Sequence, residues 1–172
     1  MRKSDIKQMP KFFDRYINLV EDLELMEAFK LHQNCPIEKN ILLELANQRY
    51  AENKWTVKDI LQHIIDTERI MAYRALRFSR NDKTPLSGYE ESLYGQYANA
   101  SVRTIDDLLE EFRIVRKSNI LLYQHLDSEM LQRSGSANNI HISVLSLGFM
   151  IIGHPIHHWN VIRERYFPLL KK

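Results

Sequence analysis

Five glycines and five prolines among 172 residues leave little material for the tight turns that close sheets, while apolar residues recur at three- and four-residue steps in block after block. A chain so short of breakers is expected to be all-α. Hydrophobic residues make up 44% and charged residues 27%, which is enough apolar surface for a core and too much for disorder. At this length a single domain spanning 1–172 is the expectation.

The periodicity predicts four principal helices, the number that makes a bundle. The first block covers about 20–33 (VEDLELMEAFKLHQ), breaks at Pro36, and resumes over 37–48;. The second, 57–79, follows Thr56, and Thr56 with Asp59 three residues on has the form of a capping box. Its inward face runs through Ile60, Ile64, Thr67, Met71, Ala75 and Phe78, and His63 falls on that face. The third, 105–127, follows Thr104 with Asp107 and turns Leu108, Leu109, Phe112, Val115, Ile120, Leu122 and Leu126 inward. The fourth, 144–167, follows Ser143 as N-cap and ends before Pro168. Between the second and third helices, residues 81–101 carry many tyrosines and no sustained period, so a long loop is expected, either a lid or a passive crossover.

The segment GHPIHHWN, 153–160, sets three histidines within five positions of the last helix. Val144, Leu147, Ile151, His154, His158 and Ile162 advance by three or four residues, so two of the three lie in line with the apolar stripe. An i, i+4 pair brings Cβ atoms to about 5 to 6 Å, close enough for both imidazoles to reach one ion. A third ligand has to come from another helix, and His63 is the other inward histidine, which makes His63, His154 and His158 the candidate metal triad. The same spacing also serves plain core packing. His154 with His157 is the second-ranked pair, while His157 and Trp159 otherwise read as rim or packing. His32, His125 and His141 sit near helix ends or polar positions and receive no role.

Three neutral imidazoles leave coordination positions for water or substrate, as catalytic sites do. Asp66 or Glu68 could close the site as a fourth, structural ligand; otherwise Asp66 is expected to pair with a base such as Arg69. No HExxH is present, because Pro155 follows His154, so the glutamate base of a zinc protease is missing. Pro155 also lacks an N–H and crowds the carbonyl of Ile151, so a kink or a freed carbonyl is expected there.

Lys plus Arg number 24 against 22 Asp plus Glu, a net charge of +2, and the signs are interleaved, which offers no phosphate-tracking surface for nucleic acid. The longest apolar run, 144–153, is about half of the roughly 20 residues a membrane span needs, so no membrane partner is expected. Cys35 is the only cysteine, and the amino-terminal stretch has no apolar secretory core, which together point to the cytoplasm.

Through KWTVKDILQHIIDTERIMAYRALRFSRNDKTPL, the Thr-capped DDLLEEFRIVRKSN segment and ISVLSLGFMIIGHPIHHWNVIRERY, roughly 50–167, the chain resembles the DinB/YfiT-like family. The resemblance implies a four-helix bundle of up-down-down-up order with a long crossover loop between helices 2 and 3. It also implies a divalent metal held by one histidine of the second helix and two of the last, which fall on His63, His154 and His158. Pro155 stands where relatives carry glutamate, in the pattern GHEIHH. Some relatives are transferases that use bacillithiol, mycothiol or glutathione, others are described as metal-dependent hydrolases, and a metal follows from membership more firmly than a reaction.

Two functions are therefore expected to compete. One is a metal-dependent enzyme acting on a small-molecule substrate, S-transferase-like with a low-molecular-weight thiol or hydrolase-like with water, with Tyr89, Tyr94 and Tyr97 shaping the substrate entrance. The other is a non-catalytic, stress-related metal-binding or interaction protein. Either forms a homodimer in this reading. The metal is expected to be zinc or nickel first, with iron, copper and cobalt also suited to three imidazoles.

Overall fold

The computed structural model describes residues 1–170. In chain order it contains α1 (Asp14–Ile17), α2 (Leu25–Leu31), α3 (Lys39–Leu45), α4 (Val57–Ser79), α5 (Glu91–Tyr97), α6 (Ile105–Gln124), α7 (Ser128–Gln132), a hairpin of β1 (Ser134–Ala137) and β2 (Ile140–Ser143), and α8 (Val144–Val161).

The long helices begin where their caps dictate. Thr56 Oγ1 accepts from the Asp59 N–H at 3.1 Å and the Asp59 carboxylate accepts from the Thr56 N–H at 2.8 Å, so two otherwise orphaned donors at the start of α4 are satisfied reciprocally. At α6 only half of that device forms. Thr104 Oγ1 accepts from the Asp107 N–H, but the Asp107 carboxylate turns to Arg103 Nε at 2.6 Å. Ser143 Oγ accepts from the Ser146 N–H to open α8.

From Val144 to Pro155 every residue of α8 is buried, so this helix is the axis of the molecule, packed mainly on α4 and on α1. Gly153 makes the second contact possible: a Cβ there would stand 2.1 Å from the carbonyl oxygen of Tyr16 on α1. On α4 the predicted face is buried at Ile60, His63, Ile64, Thr67, Met71, Ala75 and Phe78. Fully burying a side chain such as Ile64 contributes about 1.5–3 kcal/mol, and many such groups hold α4 against α8. Among the described residues no helix is long and apolar enough to cross a membrane.

Several expectations are corrected. The chain is mostly helical rather than all-α, because β1 and β2 pair antiparallel with Ser134 opposite Ser143. Asn138 and Asn139 form their two-residue turn, both at positive φ (51° and 60°), the backbone that matches the twist of a tight hairpin. Residues 20–24 are not helical: the N-terminal segment, a bridge at Arg2 followed by a 3₁₀ turn over Lys3–Asp5, takes their groups, with Arg2 bridging Glu24, Ser4 N–H donating to the Asp22 carboxylate, and Leu25 N–H donating to the Met1 carbonyl. The second part of the first block shrinks from 37–48 to Lys39–Leu45.

The segment 81–101 is not a plain loop either. It carries α5 and pairs Leu86 with the hairpin through Leu86 N–H to the Ser136 carbonyl and Asn138 N–H to the Leu86 carbonyl, each at 2.9 Å. Helix α6 ends at Gln124 rather than 127, and its buried polar side includes Arg116 and Asn119 where Leu109, Ile120 and Leu122 are only half-buried. Helix α8 is regular only to Val161, after which Ile162–Tyr166 form one π turn and Phe167–Leu169 a 3₁₀ turn that contains Pro168.

Candidate metal centre

Helix α4 delivers His63 and helix α8 delivers His154 and His158 to one place. His63 and His154 are 5% and 4% exposed, and the ring centroids of the three lie 4.5 to 4.8 Å apart. His154 Nε2 stands 3.0 Å from His63 Nε2 and 3.0 Å from His158 Nε2. Neighbouring rings fix the arrangement: Trp55 lies against His63 at 4.8 Å and the edge of Tyr16 meets His154 at 5.1 Å.

Burial, with the nearby His157 adding, pushes the His63 pKa down to about 4. Burial first and the neighbouring imidazoles second hold His154 and His158 well below the usual histidine value. All three rings are therefore neutral near pH 7, the form that offers a lone pair. That creates a conflict, because His154 Nε2 has a single hydrogen or a single lone pair for two facing Nε2 atoms and cannot align a hydrogen bond to both. A shared cation removes the conflict. Donors held roughly 2.0–2.1 Å from one ion stand about 3 Å apart, which is the separation of two of the three pairs. His158 Nδ1 is buried without a partner, a further sign of a site not built for packing alone. The donor set fits a divalent ion.

Neither carboxylate considered as a fourth ligand belongs to this cluster, which among the described residues consists of the three histidines. Glu68 is consumed by Arg116, whose Nε and Nη2 donate to its two oxygens at 2.7 and 2.9 Å, and by Asn119 Nδ2 at 3.0 Å. Asp66 accepts from Gln62 Nε2 at 2.9 Å, and Arg69 pairs with Glu111 instead of Asp66. Arg116 also answers the question raised by Pro155. Its Nη2 donates to the Ile151 carbonyl at 3.1 Å, the acceptor that a proline at the following turn leaves without its helical N–H.

Two cavities flank the triad. One, of about 70 Å³, touches His154 and is lined by Tyr16, Thr67, Met71, Arg74 and Tyr89 among others. The other, wider at about 300 Å³, touches His158 between Tyr50, Trp55 and Tyr166. Of the predicted entrance tyrosines, Tyr89 reaches the first cavity, where its hydroxyl lies 3.0 Å from Thr67 Oγ1. Tyr94 packs on Tyr89 at 5.0 Å, while Tyr97 is 78% exposed and stands apart from both cavities.

His157 is half-buried against Tyr16, and Trp159 packs on Phe112. His32 bonds Glu21 at 2.9 Å, away from the triad. The histidines were visible in the sequence, whereas Arg74 and the aromatic supports were not. Arg74 lies three residues beyond Met71 on the inward face of α4, so the period that located His63 also carries a signal for Arg74.

A mostly helical bundle that draws imidazoles from two helices to a common point, with cavities beside them, is the class of protein this chain represents. Residues 39–162 match the family model of the DinB superfamily, and the chain belongs to that superfamily. Its fold is similar to that of YfiT from Bacillus subtilis, with a TM-score of 0.69 at 17% sequence identity over 95% of this chain and 91% of that one. YfiT is described as a probable metal-dependent hydrolase with an unusual four-helix bundle topology. No curated protein matches the sequence.

Proposed function

We propose that the protein is a metal-dependent enzyme acting on a small molecule, with a divalent ion held by His63, His154 and His158. The observation that carries this reading is the convergence of three neutral Nε2 atoms, two of them 3.0 Å from the third, between two cavities. The ion when bound supplies Lewis-acid chemistry, lowering the pKa of a water or a thiol. The chain does the rest. Trp55 and Tyr16 hold the rings in place, and burial keeps the imidazoles deprotonated. Tyr89, with Tyr94 packed on it, lines the smaller cavity.

Water as the nucleophile is the branch we favour, since YfiT, a solved structure of similar fold, is described as a probable metal-dependent hydrolase; a thiol-dependent transferase is the other branch that the family resemblance offers. Zinc or nickel is the proposed ion, because three imidazoles suit both. The same proposal takes 1–172 as one domain in up-down-down-up order with the α4–α6 connection as crossover, a homodimer located in the cytoplasm. The single Cys35, half-buried with its thiol raised to about 11 by burial, supports the cytoplasm by ruling out an intrachain disulfide.

Elemental analysis of untagged protein, wild type beside His63→Ala, tests the centre. One zinc or nickel per chain in the wild type and a small fraction of that in the variant is the expected result. Wild-type protein that stays empty when offered either ion, or a variant that fills equally well, overturns the reading. Release of product from ester or amide substrates by the loaded protein, compared with conjugation of a thiol to an electrophile, then separates the two branches.

A further inference from the structure

The smaller cavity holds a charge that the triad does not explain. Arg74 is 3% exposed, yet among the described residues no carboxylate lies within ion-pair distance of it. Its Nη1 donates to the Met71 sulfur at 3.6 Å and its Nη2 to the Ser87 carbonyl at 3.2 Å, and neither acceptor carries a charge. Buried cations are almost always paired. Arg116, the other deeply buried arginine, shows the usual solution with Glu68 across from it.

The surroundings of Arg74 are those of an anion site. Its cavity is shared with His154 and with the hydroxyls of Tyr89 and Thr67, which bond each other at 3.0 Å. A second cation stands nearby: Arg15 lies over the rings of Phe12 and Tyr16, which also line the cavity, and donates to the Tyr16 hydroxyl at 2.8 Å. Arg15 has no ion-pair partner among the described residues either. The acid that reaches this cavity is Glu91, exposed on α5 and outside ion-pair distance of Arg74.

We propose that the cavity between Arg74 and His154 binds the anionic group, carboxylate or phosphoryl, of the small-molecule substrate, with Arg74 as its counter-ion. The planar guanidinium presents paired N–H donors that match either oxyanion. A cavity of about 70 Å³ admits such a group, and an anion anchored on Arg74 leaves the reacting bond on the His154 side. This assignment rests on the metal-centre reading for the word substrate, but the anion site is a separate claim about Arg74.

The test uses protein stripped of metal, because a bound ion would itself take up anions. Isotopically labelled wild-type protein is titrated with acetate and, separately, with inorganic phosphate, while NMR follows the Arg74 Nε–H and the amides of Thr67 and Tyr89. Saturable shifts at these groups with at least one anion are expected, and acetate or phosphate as the tighter probe tells the carboxylate source from the phosphoryl one. Arg74→Gln is expected to weaken that binding at least tenfold, and Glu91→Gln to tighten it severalfold by removing the opposing charge at the rim.

If Arg74→Gln fails to fold, Glu91→Gln and Arg74→Lys, which keeps the charge and loses the fork, report on the same site. No saturable shift with either anion, or identical titrations of wild type and Arg74→Gln, overturns the proposal. A protein that binds an anion here but never retains zinc or nickel loses the metal reading alone; one that retains the ion but ignores both anions loses this inference alone.

Discussion

Two buried polar clusters link α4 to α8, and they are built on opposite plans. In the first, Glu68, Arg116, Asn119 and the carbonyls of His32 and Ile151 satisfy one another: Arg116 places four hydrogen bonds and Glu68 accepts three. In the second, His63, His154 and His158 bring their Nε2 atoms together and leave His158 Nδ1 without any partner. The first draws its side chains from α4 and α6 and reaches α8 through the Ile151 carbonyl, the second draws them from α4 and α8, and the burial is similar. Where every donor has its acceptor, the network fixes structure; where ring nitrogens converge unmatched, the cluster is the one that the proposed ion would complete. The two are coupled, since Arg116 braces the Ile151 carbonyl one turn before His154, next to Pro155.

The largest effect is expected from breaking the satisfied cluster. Arg116→Met leaves the Glu68 carboxylate buried without its counter-ion, and removing one partner of a buried pair costs about 3–5 kcal/mol. Urea denaturation of the stripped protein measures it. The double variant Glu68→Leu with Arg116→Met is expected to recover much of that loss, because it removes the stranded charge. A single variant as stable as wild type would mean that the network contributes no more than a surface pair.

For the unmatched cluster the stabilisation comes from outside the chain. Zinc at a hundred to a thousand times its Kd is expected to raise unfolding stability by about 3–4 kcal/mol, and His63→Ala is expected to lose nearly all of that increment while Arg116→Met, where folded, keeps part of it. Thermal unfolding with and without zinc checks both. Equal zinc stabilisation of wild type and His63→Ala would erase the distinction between the clusters.

Acid sharpens the comparison next. Folding depresses the histidine pKa values, that of His63 to about 4 against an ordinary 6.5, so the unfolded chain binds more protons in that window. Stability is fully present above pH 6.5 and is lost as pH falls toward 4, by on the order of 3 kcal/mol from His63 alone. Chemical denaturation of stripped protein at pH 7 and pH 5 should show the decline, and His63→Ala should make it shallower, with His154 and His158 supplying the rest. A wild-type profile that is level between those values contradicts the burial of neutral rings.

How much of this was legible in the sequence differs by region for physical reasons. Helix α4 was readable to the residue, because Thr56, Asp59 and an uninterrupted inward face are all local signals. The three histidines were readable because residues on the inward face of a helix keep the helical period. The hairpin was hidden because its strands are only four residues long and β1, SGSA, alternates Ser with Gly and Ala rather than with large apolar residues; Ile140 and Ile142 alternating with polar neighbours and the Asn138–Asn139 pair were its cues. Residues 20–24 look helical by pattern, yet their backbone groups are claimed by residues 1–4, a contact between segments that no local period records. The partners of Glu68 and the isolation of Arg74 belong to the same kind: pairing is set by which helix faces which, and charge alone does not announce it.

The smallest expected effect separates the scaffold from both clusters. Thr56→Ala removes the acceptor for the Asp59 N–H and half of the capping box at the start of α4, at a cost of about 1 kcal/mol. Fraying of that kind stays within the first turn, and His63 lies about two turns in, with Glu68 deeper still. Stability measured in urea should therefore fall slightly while zinc stoichiometry stays at the wild-type level. Should the variant lose zinc as readily as His63→Ala, the position of His63 would depend on the helix start rather than on its packing against Trp55 and α8, and the triad would be a less pre-formed centre than its burial implies.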